Sequence, residues 1–175
     1  MRYSIALVFC MLLPWSPAKA EQGWAPDHLQ AGLGILGVVN SAQTRAIFNT
    51  LHLNGSWNLS QPWGFELGYR PAMRRSGSTK IRTLEHAHYL HSAINYRHLG
   101  DFFLWTAALG GHFRLAYSRL STPTQERNYS QNNPGMNLNG GIGIPIQKET
   151  FMHLQLGLLL RNKNIDLYWT LGVDF

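Results

Sequence analysis

The sequence contains few charged side chains, a single cysteine and, after residue 20, no long apolar stretch. Charged residues make up 14% of the chain, against about a quarter in ordinary soluble domains. No apolar run after residue 20 reaches the roughly 18 residues that a membrane-spanning helix needs. The one cysteine, Cys10, lies in the N-terminal segment, so the rest of the chain has neither a disulfide nor thiol chemistry.

Residues 1–20 have the three parts of a secretory signal peptide. Arg2 supplies the positive charge, residues 5–13 form the short apolar run, and Ala18-Lys19-Ala20 matches a small-residue cleavage site. A retained N-terminal helix is the alternative. We therefore expect a signal peptide at 1–20 and one exported domain at 21–175. Loss of the two cations in the signal lowers the formal net charge from +6 to +4.

The last eleven residues alternate between apolar and polar side chains. Because side chains of a strand point alternately to its two faces, the apolar set from Ile165 to Phe175 shares one face, and Asp166, Tyr168 and Thr170 lie on the other. An apolar face that ends on Phe, opposite a polar face, indicates a strand with lipid outside and a packed polar interior.

The same alternation recurs along the exported chain and predicts eight strands. An even number of such strands, each about ten residues or longer, is typical of an antiparallel up-and-down transmembrane β-barrel. The last strand would pair with the first, because backbone polar groups cannot stay unpaired in hydrocarbon. The predicted strands are residues 28–39, 47–59, 63–71, 84–98, 102–118, 136–146, 151–161 and 165–175.

Loops after the first, third and fifth predicted strands alternate with short turns after the second, fourth and sixth. Outer-membrane barrels have this asymmetry, with short turns on the periplasmic side. The tight turn at 162–164 departs from it. Several aromatic residues fall near the short turns and predict a girdle at that membrane interface: Trp57, Trp63, Phe103, Trp105, Phe151 and Phe175.

An eight-stranded barrel is only wide enough inside for side chains to fill it. Buried charges persist only when they are paired and hydrogen-bonded, so we expect the ion pairs Glu66–Arg97 and Asp166–Arg161. The predicted interior polar network comprises Glu66, Arg70, His91, Arg97, His112, Arg114, Arg161 and Asp166, and His52, His153 and Asp174 also point inward.

The terminal Phe, with apolar residues at alternate positions before it, resembles the C-terminal signal of small eight-stranded outer-membrane barrels, the OmpA-like and opacity-type group. The resemblance covers the exported chain as a pattern. It implies insertion into the bacterial outer membrane by the barrel assembly machinery, with Trp169, Leu171, Val173 and Phe175 as the assembly signal. Members of the group include structural, adhesive and serum-resistance proteins and a few lipid A enzymes, so membership does not fix the function.

The enzymatic alternative is a lipid A deacylase on the same barrel. That family has a His-x-Ser-Asn element on a late strand, and the sequence lacks it. His91 and Ser92 are adjacent, so they point to opposite faces of a strand and cannot act as base and nucleophile. We therefore predict no catalytic residue.

His86 and His88 share one face of a predicted strand and raise the question of a metal site. Zinc would need at least one more protein ligand, and the neighbouring sequence offers none on that face. We interpret the pair as interfacial histidines, and we predict neither a metal nor another cofactor.

The loop at 72–83 contains no acidic residue and carries four cations: Arg74, Arg75, Lys80 and Arg82. Arginine binds phosphate bidentately, so we expect contact with lipopolysaccharide or an anionic host or surface ligand. The plainer interpretation is a solvated loop. Nucleic-acid binding is not expected of an exported barrel.

The sequence thus predicts a non-enzymatic outer-membrane barrel with a plugged polar interior and a structural or surface-interaction role. A lipid A-modifying enzyme is the second interpretation, and a narrow gated pore is the third.

Overall fold

The computed structural model describes residues 25–39, 45–77, 82–162 and 164–175, which form an eight-stranded antiparallel sheet. The predicted signal peptide at 1–20 lies outside these residues. None of the described residues forms a helix that is long and apolar enough to cross a membrane. The strands are β1 (His28–Val39), β2 (Arg45–Ser60), β3 (Trp63–Gly77), β4 (Arg82–Leu99), β5 (Leu104–Ser121), β6 (Glu126–Gln147), β7 (Thr150–Arg161) and β8 (Asn164–Asp174).

The sheet closes into a barrel in simple chain order. Each strand pairs with its neighbours in sequence, and β1 pairs with β8 from Gln30–Asp174 to Val39–Ile165. The predicted up-and-down barrel is confirmed. We call the end that carries the short connections at 61–62, 100–103 and 148–149 the proximal rim, and the opposite end the distal rim.

Alternation of side chains builds the two surfaces of the barrel. On β8, Leu167 and Trp169 are exposed on the outside, whereas Asp166 and Thr170 are buried inside. Residues on one face of adjacent strands lie side by side, so eight such strands give a continuous apolar outer band. This band surrounds an interior of mostly polar side chains.

Strands β3 to β6 extend further at the distal end than the alternation predicts, and β2 and β8 begin there two residues and one residue earlier than predicted. The predicted loops at 72–83 and 119–135 are wrong, because β3 continues to Gly77, β4 starts at Arg82, β5 continues to Ser121 and β6 starts at Glu126. These extensions pair in register up to Ser121–Glu126, whereas β6 pairs with β7 only from Met136 onward. We name residues 74–77, 82–85, 115–121 and 126–135 the protruding sheet.

The aromatic girdle of the proximal rim is present on the outside, with one correction. Trp63 packs edge-on against Tyr96, with ring centroids 5.2 Å apart, and Phe103 packs against Trp105 at 6.4 Å. Phe151 was expected in this girdle, but it is buried inside the barrel. Its position opposite the inward Asp174 explains the difference, because paired residues share a face.

An apolar cluster occupies part of the interior near the distal rim. Leu36 and Leu159 are completely buried there, and Phe48 is nearly so. Three inward alanines, Ala72, Ala87 and Ala116, complete the layer. The interior is therefore polar along most of its length and apolar on one side of its distal end.

Candidate functional site

A buried ion-pair cluster lies in the distal half of the interior. Arg161 donates from Nη2 to Asp166 Oδ1 at 2.7 Å and from Nε to Asp166 Oδ2 at 3.1 Å. The Tyr89 hydroxyl donates to Asp166 at 2.9 Å, and Arg114 Nε donates to that hydroxyl at 3.1 Å. The structure thus brings the expected partners Arg161 and Asp166 into contact and joins Arg114 to them through Tyr89.

The expected pair of Glu66 with Arg97 is wrong. Glu66 accepts hydrogen bonds from Asn54 at 3.0 Å and from Asn139 at 3.4 Å, and Arg97 donates to Asp174 at 2.6 Å. Glu66 stands opposite Ala93 in the sheet, four residues along β4 from Arg97. That offset is about 13 Å along a strand, so the two side chains lie at different depths.

A hydroxyl, an imidazole and an amide line up near the proximal rim, a group that sequence reasoning missed. Thr106 Oγ1 lies 2.9 Å from His153 Nε2, and the Gln30 amide nitrogen contacts His153 Nδ1. When the Gln30 amide donates to Nδ1, the neutral ring has its proton on Nε2 and donates it to the Thr106 hydroxyl. A general base would have to accept the proton of that hydroxyl, so this group cannot activate a nucleophile. Gln30 and His153 are 123 residues apart, so no sequence pattern marks the group.

Three interior histidines are neighbours: His91 stands beside His112 in the register of β4 and β5, and its ring lies near that of His52. His91 Nε2 lies 3.6 Å from Glu66 Oε1, and its ring centroid lies 5.9 Å from that of His52. His112 Nδ1 lies 3.1 Å from the carbonyl of Met136. Ser92 is exposed on the outside whereas His91 is buried inside, so the two do not form a catalytic pair.

Arg70 points into the interior and is completely buried. Its guanidinium carbon sits 3.4 Å above the centre of the Tyr168 ring. The sequence placed Arg70 inside the barrel but gave no sign of this stacking, because Tyr168 is on a strand far along the chain.

The basic residues of the protruding sheet divide between its two faces. Arg74 points inward, where its Nη1 lies 3.4 Å from Glu85 Oε2. Arg75, the next residue, points outward and is exposed, and so is Arg82. Neither Arg75 nor Arg82 makes an ion pair with a described residue. Lys80, the fourth predicted contact, lies outside the described residues.

Arg119 belongs to the same outward surface, although the sequence did not single it out. In the sheet register Arg75 stands beside Leu84, and Leu84 stands beside Arg119, so the two arginines are about 10 Å apart across three strands. Glu126 accepts a hydrogen bond from Arg119 at 2.7 Å and raises the pKa of the guanidinium. We call Arg75, Arg82 and Arg119 the outward arginine group.

Rings and a thioether lie directly below the outward arginine group. His86 stands between Met73 and Tyr117 in the register. His88 lies two residues further along β4 toward the proximal rim. The Tyr69 hydroxyl lies 2.7 Å from His88 Nδ1, and the two rings stack with their centroids 6.0 Å apart. The predicted histidine pair therefore faces outward beside two tyrosines. In the described part of the chain, no three His, Cys, Asp or Glu side chains are grouped to hold a metal ion.

The four residues predicted as the assembly signal lie on the outer face of β8 or just after it. Trp169, Leu171 and Phe175 are exposed, and Val173 is half-buried. The Phe175 backbone exchanges two hydrogen bonds with Leu29, at 2.8 and 3.1 Å. The end of the chain is thus fixed to β1, where the barrel closes.

Comparisons with known proteins identify the fold. The attachment invasion locus protein Ail of Yersinia pestis superposes with a TM-score of 0.65 at 12% identity, over 85% of this chain and 97% of that one. A second structure of Ail, in complex with the heparin analogue sucrose octasulfate, gives 0.65 at 11% identity, over 85% of this chain and 97% of that one. Neisserial surface protein A gives 0.62 at 11% identity, over 84% and 94%.

The sequence itself matches no protein-family profile and no curated protein. At such low identities the structural likeness shows the fold alone. The structural neighbours are small eight-stranded outer-membrane β-barrels, and this chain has their fold. The resemblance inferred from the sequence is confirmed at that level.

Proposed function

We propose that this outer-membrane-type barrel is a non-enzymatic surface protein whose outward arginine group binds the phosphates of lipopolysaccharide. The proposal rests on one observation: three outward arginines stand immediately beyond the row of rings that ends the apolar outer band. Arg75 and Arg119 are in the first row beyond His86 and Tyr117, and Arg82 is in the next.

The length of the apolar band supports this placement. On β5 the outward face runs from Trp105 to Tyr117, which covers about 30 Å at about 3.3 Å per residue and a tilt of about 40°. That length matches the hydrocarbon core of a bilayer, about 30 Å. Arg119, two residues further, then lies at the level of the headgroups, where the outer leaflet displays phosphate.

The interior favours a closed anchor over a pore. Arg70, Asp166 and Asn137 are completely buried inside the barrel, and a proximal cavity beside Glu66 and Arg97 has a volume of about 20 Å³. A cavity of that size holds about one water molecule. These side chains support the plugged interior that the sequence predicts.

Two further features support a surface role. The protruding sheet carries hydrogen-bonding groups well beyond the apolar band and so offers contact area to a host or surface ligand. Ail, which has the same fold, is known in complex with a heparin analogue, and a sulfated sugar resembles a phosphorylated one in charge and in the shape of its anionic groups. An anionic glycan is therefore the class of ligand that we propose.

The closing strand β8, with the residue that follows it, carries the residues that we propose as the assembly signal. We propose that the chain is exported with the signal peptide at 1–20 and inserted into the bacterial outer membrane by the barrel assembly machinery, which recognises the outward residues Trp169, Leu171, Val173 and Phe175. The exposed apolar face of β8 supports this assignment.

Arg74 and Arg75 make a matched test of phosphate binding possible. Replacing Arg75 and Arg82 by Gln removes two outward charges, and replacing Arg74 by Gln removes an inward one from the same strand. The refolded barrel is titrated with lipopolysaccharide in mixed micelles, and the temperature at which its gel mobility shifts on heating is recorded.

We expect the double variant to lose about tenfold in apparent affinity, since hydrogen bonds to charged groups contribute about 1.5–3 kcal/mol when buried and less when exposed. Arg74→Gln should retain the wild-type affinity. Equal binding by all three proteins, or binding that persists after the phosphates are removed from lipid A, would contradict the proposal. A changed lipid A mass on expression would favour the enzymatic alternative instead.

A further inference from the structure

His86 faces outward directly below two members of the outward arginine group. In the sheet register, Arg75 and Arg119 stand on either side of Leu84. His86 is the next outward residue of β4 after Leu84, so each of these two arginines is its diagonal neighbour at about 7–8 Å, a distance that long side chains span. Arg82 precedes Leu84 on the same face of β4. Four basic side chains therefore surround one leucine.

The outward surroundings of His86 carry an excess of positive charge. The neighbours with a charged or titratable side chain are Tyr69 and Arg75 on β3, Arg82 and His88 on β4, Tyr117 and Arg119 on β5, and Glu126 on β6. Glu126 is the one carboxylate among these described residues, and it binds Arg119. Phenols ionise only near pH 10, so three permanent cations face one anion. Such a surface attracts anions.

We infer that His86 is a fourth binding group of the anion site and that it takes up a proton when the anion binds. The inference rests on the proposed function and concerns the same site. His86 is half-buried, whereas the three arginines are exposed. A phosphate or sulfate held between Arg75 and Arg119 lies above Leu84 and close to the imidazole. A negative charge at that distance favours the protonated ring, which donates a charge-assisted hydrogen bond to the anion.

Uptake of a proton makes the affinity for the anion depend on pH. Histidine is the side chain that changes its charge between pH 5 and 8. Since binding favours the protonated ring, the affinity is highest below about pH 6, where the ring is already protonated, and falls as the pH rises toward about 8. Salt screens the interaction at an exposed site, so we expect a change of about threefold rather than the tenfold of a full unit. The surface would thus hold an anionic glycan more firmly in acidic surroundings.

Sucrose octasulfate is the probe for this coupling, because its sulfate esters keep their charge throughout this pH range. Phosphate monoesters take up a proton of their own near pH 6, so lipid A would mask the contribution of the protein. The refolded barrel is titrated with the probe in micelles of an uncharged detergent, at pH 5.5 and pH 8 and at constant ionic strength. We expect the wild-type protein to bind about three times more tightly at pH 5.5, on the screening argument above.

Three variants separate this coupling from a general effect of charge. His86→Gln cannot take up the proton and should bind with the weaker affinity at both pH values. His86→Lys is cationic at both pH values and should bind with the tighter affinity at both. His88→Gln is the matched control, because His88 lies one row further from the arginines, and it should keep the pH dependence of the wild type. The heat-shifted gel band verifies that each variant is folded.

Calorimetry in two buffers of different ionisation enthalpy measures the proton uptake directly. At pH 6.5 we expect the wild-type protein to take up about a quarter of a proton for each probe molecule bound, the uptake that a threefold change in affinity implies by linkage. His88→Gln should take up the same amount. His86→Gln and His86→Lys should take up almost none.

Wild-type binding that does not change with pH would overturn the inference, and so would a pH dependence that persists in His86→Gln. The proposed function would survive either result if Arg75→Gln combined with Arg82→Gln still weakens binding of the same probe. A wild-type barrel that binds the probe at neither pH would overturn the inference and would also contradict the anionic glycan as the proposed class of ligand.

Discussion

Arg161 and Asp166 face each other across the connection between β7 and β8 and make two hydrogen bonds, at 2.7 and 3.1 Å, with both side chains buried. The pair holds the distal ends of the last two strands together inside the barrel. The Tyr89 hydroxyl also donates to Asp166, and Arg114 donates to that hydroxyl, so the network around this carboxylate connects four strands: β4, β5, β7 and β8.

Removal of this carboxylate should therefore destabilise the barrel. We expect Asp166→Asn to lower the free energy of unfolding by about 3–5 kcal/mol, because the change leaves buried arginine charges without compensation. Urea unfolding in detergent micelles, followed by tryptophan fluorescence, measures the effect. Glu85→Gln, which alters a partly exposed carboxylate that contacts Arg74 at 3.4 Å, should cost less than 1 kcal/mol. Equal losses of unfolding free energy in both variants would contradict the proposed role of Asp166 in stabilising the barrel.

Gly157 leaves room for the Tyr168 ring. A Cβ atom at Gly157 would overlap that ring, whereas a Cβ at Gly140 would meet only the Thr106 carbonyl at 3.6 Å. We expect Gly157→Ala to cost about 1–3 kcal/mol of stability, the usual effect of overpacking, and Gly140→Ala to be nearly neutral. The same urea titration tests both. A neutral Gly157→Ala would mean that the ring can move without loss.

Phe175 should matter for assembly more than for the stability of the finished barrel. We expect Phe175→Ser to lower the amount of folded protein in the outer membrane several-fold, because this side chain is the last of the exposed apolar series on the closing strand. The heat-shifted gel band of membrane fractions measures folded protein. Phe102→Ser, at an exposed aromatic residue in the β4–β5 connection, serves as the control and should assemble normally.

The interior should not conduct ions steadily. In planar bilayers we expect no stable conductance steps, since Arg97 and Asp174 form an ion pair of 2.6 Å near the proximal rim and the apolar cluster with Leu36 and Leu159 lies near the distal rim. A wild-type conductance that Arg97→Ala or Arg114→Ala abolishes would favour the pore interpretation over the proposed anchor.

The barrel itself could be predicted from the sequence because lipid imposes a strong pattern. Every strand must be apolar on its outer face over the thickness of the bilayer, so alternation such as that from Ile165 to Phe175 is repeated eight times. The interior residues follow from the same alternation. Arg70, His91 and Asp166 point inward because each lies one residue away from an outward apolar one.

The β6 part of the protruding sheet could not be predicted, because residues 126–135 are exposed almost throughout. Residues 126–135 are polar almost throughout and carry no period-two signal, although they form regular strand. The relative depth of two interior side chains in the barrel could not be predicted either. Glu66 and Arg97 belong to adjacent strands, but only the register shows that Glu66 stands opposite Ala93. The sequence does not single out Arg119, because Arg75 and Arg82, the other members of the outward arginine group, are on other strands.

The protruding sheet also bears on how the protein reaches its final position. In the proposed orientation, with the proximal rim in the periplasm, the hairpin tips of β3–β4 and β5–β6 would have to cross the bilayer before the barrel is complete. They take Arg75, Arg82 and Arg119 with them, and each such charge costs about 2.5–3.5 kcal/mol at the bilayer centre on insertion scales. Spontaneous insertion into thick, pure lipid vesicles should therefore be slow, and thinning of the bilayer should accelerate it. We therefore expect the longest hairpins to set the kinetic barrier to insertion.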